Sequence, residues 1–206
     1  MHNRTRYITL YLSVTILIFI TGSCNGKAAL NAADSAVVKK ELVVKEQQPA
    51  GKAAKNDEQQ FRVFLKEFKA AVQQKNKKQL ALMINFPLQT LPQWTSEDLK
   101  STTVKPEEGL VTESEYPQYA DALFTKDVMR LIPKSKEADL SEIDTANPED
   151  YYKTVGKVTD KGSTLYELQQ QYEQDNGKET SYGFVFGKVK GKYKIISYFC
   201  PWPVKG

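Results

Sequence analysis

The chain predicts an α+β domain, with helices first and an antiparallel meander after them. Two observations carry this. Apolar residues between Phe61 and Ile132 recur at helical spacing, and from Tyr151 onward apolar and polar residues alternate in runs parted by Asn176-Gly177 and Lys190-Gly191.

In "DEQQFRVFLKEFKAAVQQK", Phe61, Phe64, Leu65, Phe68, Ala71 and Val72 line one helical face, with Lys, Glu and Gln on the other. Asp57 is placed to N-cap this helix. Asn76 is placed to cap a second, shorter helix carrying Leu80, Met83 and Ile84. "NFPL" ends it at Pro87, because the residue before a proline is pushed out of helical conformation. A loop-rich stretch with Trp94 and "KPEEG" follows. Thr112 and Glu115 have capping-box spacing ahead of a third helix, with Val111 positioned to staple against Tyr116. Thr125 caps a fourth helix, which Pro133 terminates.

The strands are "STLYELQQQYEQ", "TSYGFVFGKV" and "KYKIISYFC", with "YYKTVGKV" as a fourth. Both glycine pairs read as two-residue hairpin turns. On that reading Phe184 faces Ser197, Phe186 faces Ile195 and Lys188 faces Tyr193, while Glu167 lies beside Phe186 and Gln169 beside Phe184. One face then joins Phe184, Phe186 and Tyr193 to Glu167 and Gln169, the apolar body with polar handles that a cleft needs. The same pattern fits a face half-buried under helices with its polar residues at the rim. A one-residue change in either loop exchanges the two faces, since the strand period is two. Lys188, Lys190, Lys192 and Lys194 read as a solvated edge that discourages strand-to-strand pairing. Cys200, ending the last strand, reads as a small buried residue.

The N-terminus supplies an address. Arg4 and Arg6 precede a 13-residue apolar run, Ile8–Ile20, too short to span a bilayer comfortably, and Thr21-Gly22-Ser23 offers the small residues of a cleavage site. "ITGSC" resembles the lipobox of bacterial lipoproteins, with Thr21 in place of the usual Leu. The resemblance implies a signal peptide over residues 1–23, acylation of Cys24, and anchoring in the cell envelope. At about 0.8 kcal/mol per buried methylene, two or three acyl chains hold a protein on a membrane stably. Asn25 rather than Asp after the cysteine points to the outer membrane by resemblance to the enteric sorting rule. Residues 24–57, with no aromatic residue, read as the acylated cysteine and a flexible tether spanning roughly 30 Å. The domain proper is then 58–206.

Composition excludes several classes of function. Setting residues 1–23 aside removes Arg4 and Arg6 and no acid, so the formal charge falls from +4 to +2, too balanced for a nucleic-acid binder. The single histidine, His2, leaves with the signal peptide, and with it go His-based acid–base, nucleophile and metal chemistry. No cofactor or metal is implied.

"FRVFLKEFKAAVQQKNKKQLALMINFPL" followed by "YGFVFGKVKGKYKIISYFCPW" resembles the nuclear-transport-factor-2-like, cystatin-like domains of bacterial lipoproteins of unknown function, over residues 58–204. "TESEYPQYADALFTKDV" is similar to the helical segment of those proteins. The resemblance implies N-terminal helices closing over a strongly curved antiparallel sheet, a cone. It leaves function open, since that superfamily hosts both enzymes and scaffolds. The leading expectation is a non-catalytic binding or interaction module, taking a protein partner or a small apolar ligand at Glu167, Gln169, Phe184, Phe186 and Tyr193. The alternatives are an isomerase- or dehydratase-like enzyme pairing Glu167 with Tyr193 or Tyr182, and a homodimer joined through a sheet apolar on both sides.

Overall fold

The structure, a computed structural model, describes residues 50–205, with side chains from Asn56 onward. The expected signal peptide and Cys24 lie outside the described residues. Helix α1 runs Ala50–Gln73 and buries the stripe expected of it: Phe61, Phe68 and Val72 are wholly inside, and Phe64, Leu65 and Ala71 nearly so. The described helix starts at Ala50, seven residues before Asp57, inside the segment read as tether. Asp57 therefore sits within the helix rather than capping it. Helix α2, Lys77–Met83, is capped by Asn76, whose side chain accepts from the Gln79 amide at 3.1 Å.

The chain does not pass into loop after α2. Ile84–Gln89 is strand β1, which pairs parallel with the last strand and antiparallel with the two-residue β2, Leu110–Val111. The short helix α3, Ser96–Lys100, starts at a capping box made by Thr95 and Asp98. Thr112 and Glu115 exchange the expected capping bonds, and the Tyr116 amide donates to Thr112 O at 3.0 Å. Helix α4, Tyr116–Leu123, follows directly. Helix α5, Lys126–Leu131, is capped by Thr125, and a 3-10 turn over Ile132–Lys134 ends it.

Strand β3, Leu140–Ile143, precedes helix α6, Asp150–Val155. The "YYKTVGKV" stretch is thus helix and 3-10 turn, not strand. Tyr151 and Val155, four residues apart, share the buried face of a helical turn. Strands β4 (Leu165–Glu173), β5 (Glu179–Val189) and β6 (Lys192–Phe199) complete a sheet in the order β2-β1-β6-β5-β4-β3. The protein is α+β with helices packed on a six-stranded sheet, mixed rather than wholly antiparallel.

Both faces of this sheet are covered. On one, Tyr166, Leu168, Phe184, Phe186, Tyr193 and Ile195 meet α1, α2, α4 and α5. The rings interlock: Phe61 stacks on Tyr166 at 3.8 Å between centroids, and Phe68 meets Phe184 and Phe186 edge-on at 5.3 and 5.6 Å. On the other face Val185, Ile196 and Phe199 pack with Leu91, Trp94, Tyr151 and Val155. Gly183 lets Phe199 lie against the strand: a Cβ there would stand 2.2 Å from its ring. Among the described residues, side chains of the two core clusters thus occupy both faces of the sheet.

Candidate functional site

The two hairpins decide which residues can meet. Lys190 and Gly191 both have positive φ, 51° and 78°, so the β5–β6 connection is the expected two-residue turn, of type I′. It sets Phe186 opposite Ile195 and Lys188 opposite Tyr193, as expected. A bulge then leaves Ile196 unpaired, so Phe184 faces Tyr198, and Ser197 faces Val185. The β4–β5 connection is a three-residue loop, Asp175–Gly177, closed by Gly177 N donating to Gln174 O, with Gly177 at φ 77°. The extra residue shifts the register by one. Tyr166 faces Phe186, Glu167 faces Val185, Leu168 faces Phe184 and Gln169 faces Gly183.

The expected cleft is therefore divided. Phe184, Phe186 and Tyr193 lie on the face under α1, buried among other rings. Glu167 and Gln169 alternate to the opposite face. Tyr182 lies with the phenylalanines, so neither it nor Tyr193 can serve as the hydroxyl partner of Glu167.

Glu167 instead meets Tyr152 of α6, whose hydroxyl donates to Oε2 at 2.5 Å, and Gln93, whose Nε2 donates to the same oxygen at 3.2 Å. Gln93 also donates to the Tyr152 hydroxyl at 2.7 Å. Glu167 is 7% exposed. Burial pushes its carboxyl above the usual range; the Tyr152 and Gln93 bonds pull back, and the nearby Glu149 charge adds to the rise. Beside this trio Tyr151 and Ser197 share a hydrogen bond at 2.6 Å, and Ser197 donates to Gln89 O at 3.0 Å. The network fastens α6 and the segment after β1 to the sheet. The sequence does not mark Tyr152 and Gln93 as partners of Glu167: Tyr152 lies in a run that reads as strand, and Gln93 in a loop-rich stretch without a motif.

A broad concavity, about 750 Å³, lies elsewhere, between α1, α2 and the β5–β6 hairpin. Phe64, Met83 and Tyr193 form its apolar floor. Asn56, Gln59, Gln60 and Gln79 supply amides along its walls, and Glu67 one carboxylate. Val63 and Leu82, 55% and 68% exposed, stand on its lip. Both were visible in sequence as apolar residues out of phase with the buried stripes of their helices.

Three contacts hold this groove in shape. The Tyr193 hydroxyl donates to Asp57 Oδ2 at 2.6 Å, and Lys188 pairs with Asp57 Oδ1. Burial alone would raise the Asp57 carboxyl; Lys188 and Tyr193 outweigh it and hold the group below the usual carboxylate range. Lys194 donates to the Leu82 carbonyl near the C-terminal end of α2, where a cation is favoured. Burial, with Lys192 beside it, pulls the Lys194 amine below its ordinary value. Among the described residues neither Lys192 nor Lys194 has a carboxylate within ion-pair distance. The groove therefore carries two cations, neither in an ion pair, against one carboxylate, Glu67.

No protein-family model matches the chain, and no curated protein matches it. Among the described residues no group of three or more His, Cys, Asp or Glu side chains is placed to hold a metal ion, and no helix is long and apolar enough to cross a membrane. Cys200 is buried, its Sγ 3.0 Å from Trp202 O, with its thiol pushed up by burial.

Proposed function

We propose that the protein is a lipoprotein of the bacterial envelope, held on the outer membrane by acylated Cys24, whose nuclear-transport-factor-2-like domain is a non-catalytic binding module. Its occupant is a partner-protein segment that alternates apolar and acidic side chains, seated in the groove between α1, α2 and the β5–β6 hairpin.

The observation that carries this reading is the groove's composition. An apolar floor, walls of neutral amides with the single acid Glu67, and two lysines outside any ion pair suit a peptide whose apolar side chains enter while its carboxylates meet Lys192 and Lys194. The face under α1, which carries the aromatic residues of the expected cleft, is filled by Phe61, Phe64, Phe68, Phe184 and Phe186. That favours a ligand bound at the surface over one enclosed. The enzyme alternative pairing Glu167 with Tyr193 or Tyr182 finds no support in the geometry, because the carboxylate and the two hydroxyls sit on opposite faces.

A fluorescein-labelled Leu-Glu alternating dodecapeptide tests the site by anisotropy. Saturable binding that weakens at least tenfold in Val63→Asp/Leu82→Asp supports it. Unchanged binding in that variant, or none in the parent, removes it. For the anchor, radiolabelled palmitate is expected to enter the parent chain and not Cys24→Ala.

A further inference from the structure

Tyr193 lies on the floor of the α1–α2 groove, and its backbone groups stand on the edge of β6 that faces the groove. The β5–β6 turn makes Val189 and Lys192 the first bonded pair, so Lys188 and Tyr193 point their amides and carbonyls away from each other. On the Lys188 side both groups are taken. Its amide donates to Ser163 Oγ at 2.9 Å, and its carbonyl accepts from the Asp160 amide at 2.7 Å. On the Tyr193 side β1 pairs with β6 only from Ile195 onward, and the Ile84 amide at the start of β1 donates back to Ala81 O. Among the described residues the Tyr193 amide and carbonyl have no hydrogen-bond partner. Tyr193 is 5% exposed, and backbone groups so far inside are ordinarily paired.

We propose that the segment seated in the groove is an extended strand that bonds to the Tyr193 amide and carbonyl and so prolongs the sheet beside β6; this rests on the groove being the binding site. Strand alternation then dictates its sequence. Tyr193 points to the helix-covered side, with Phe64 and Met83, and Lys192 and Lys194 point to the other. A residue paired with Tyr193 sends its side chain onto the apolar floor, and its two neighbours face Lys192 and Lys194. The matching core is acid–apolar–acid, and it reads the same in either strand direction. A second concavity, about 460 Å³, adjoins the same edge, lined by Lys190, Lys192 and Lys194 with Glu113 as its one acid. Lys194 keeps its bond to Leu82 O while it holds a carboxylate, because an ammonium has three donors. Lysines along an edge repel a like strand and admit an acidic one, so the charges that keep copies apart also select the partner.

The test uses the 15N-labelled full-length chain in detergent and the Leu-Glu dodecapeptide in three forms: unmodified, N-methylated at every Leu, and N-methylated at every Glu. Saturating unmodified peptide is expected to slow hydrogen exchange of the Tyr193 amide at least tenfold. One methylated peptide is expected to bind at least tenfold more weakly than the unmodified one, and the other within about threefold of it, because only one set of peptide amides faces β6. The weakened form also gives the strand direction. Unmodified peptide that binds while Tyr193 exchange stays unchanged, or methylated peptides affected alike as for a helix, overturns the strand and leaves the groove reading standing. No binding of the unmodified peptide removes both.

Discussion

The Tyr193 hydroxyl stands 2.6 Å from the Asp57 carboxylate, 136 residues earlier in the chain. With Lys188 on the other carboxylate oxygen, this contact binds the outer turns of α1 to the β5–β6 hairpin and sets the width of the groove between them.

Removing that tie has a pH signature. Asp57 is held below its ordinary value, so the stability it contributes is present above the unfolded-state pKa and is lost as the pH falls through the lower folded value. Asp57→Asn is expected to lower stability by about 1–2 kcal/mol at pH 7, the scale of a charge-assisted hydrogen bond, and by little at pH 2. Urea melts at the two pH values check this.

Glu167 works in the opposite sense. Its folded pKa is raised, so the folded state holds its proton more tightly than the unfolded chain. The stabilising share is present below the unfolded value and is lost as the pH rises through the folded one. Glu167→Gln keeps an acceptor for Tyr152 without the charge. Its stability relative to the parent is expected to increase between pH 4 and pH 8, by on the order of 1 kcal/mol, in parallel thermal melts.

Gly183→Ala tests the packing of the second face. The added methyl meets the Phe199 ring at 2.2 Å, and Phe199 is itself held by Tyr151. Overpacking of this kind costs about 1–3 kcal/mol, read as a shifted urea midpoint. Phe68→Ala, on the α1 face, is expected to cost about 3–5 kcal/mol by the same assay, since it empties a site wholly inside the ring cluster.

What could be read from sequence, and what could not, follows from how local each determinant is. The α1 stripe was legible because Phe61, Phe64 and Phe68 repeat within one helix, and the two-residue turn because Lys190-Gly191 joins two alternating runs directly. The face of Glu167 was not. Asp175-Asn176-Gly177 closes as well with three residues as Asn176-Gly177 does with two, and each choice sends the carboxylate to a different side of the sheet. The bulge at Ile196 lies where β6 also pairs in parallel with β1, a contact between segments about 110 residues apart that no local pattern announces. The helical turn of α6 was hidden by two tyrosines and a valine, residue types that favour strands unless burial at i and i+4 decides otherwise.

The groove's charge is the central claim, and a charge exchange tests it most directly. Lys192→Glu/Lys194→Glu is titrated beside the parent chain with the Leu-Glu dodecapeptide and with a Leu-Lys counterpart of the same length. The account predicts that the parent prefers the acidic peptide at least tenfold, that added salt narrows the gap, and that the double variant reverses the preference. Equal affinity of the parent for both peptides, or a preference the double variant leaves unchanged, would contradict it.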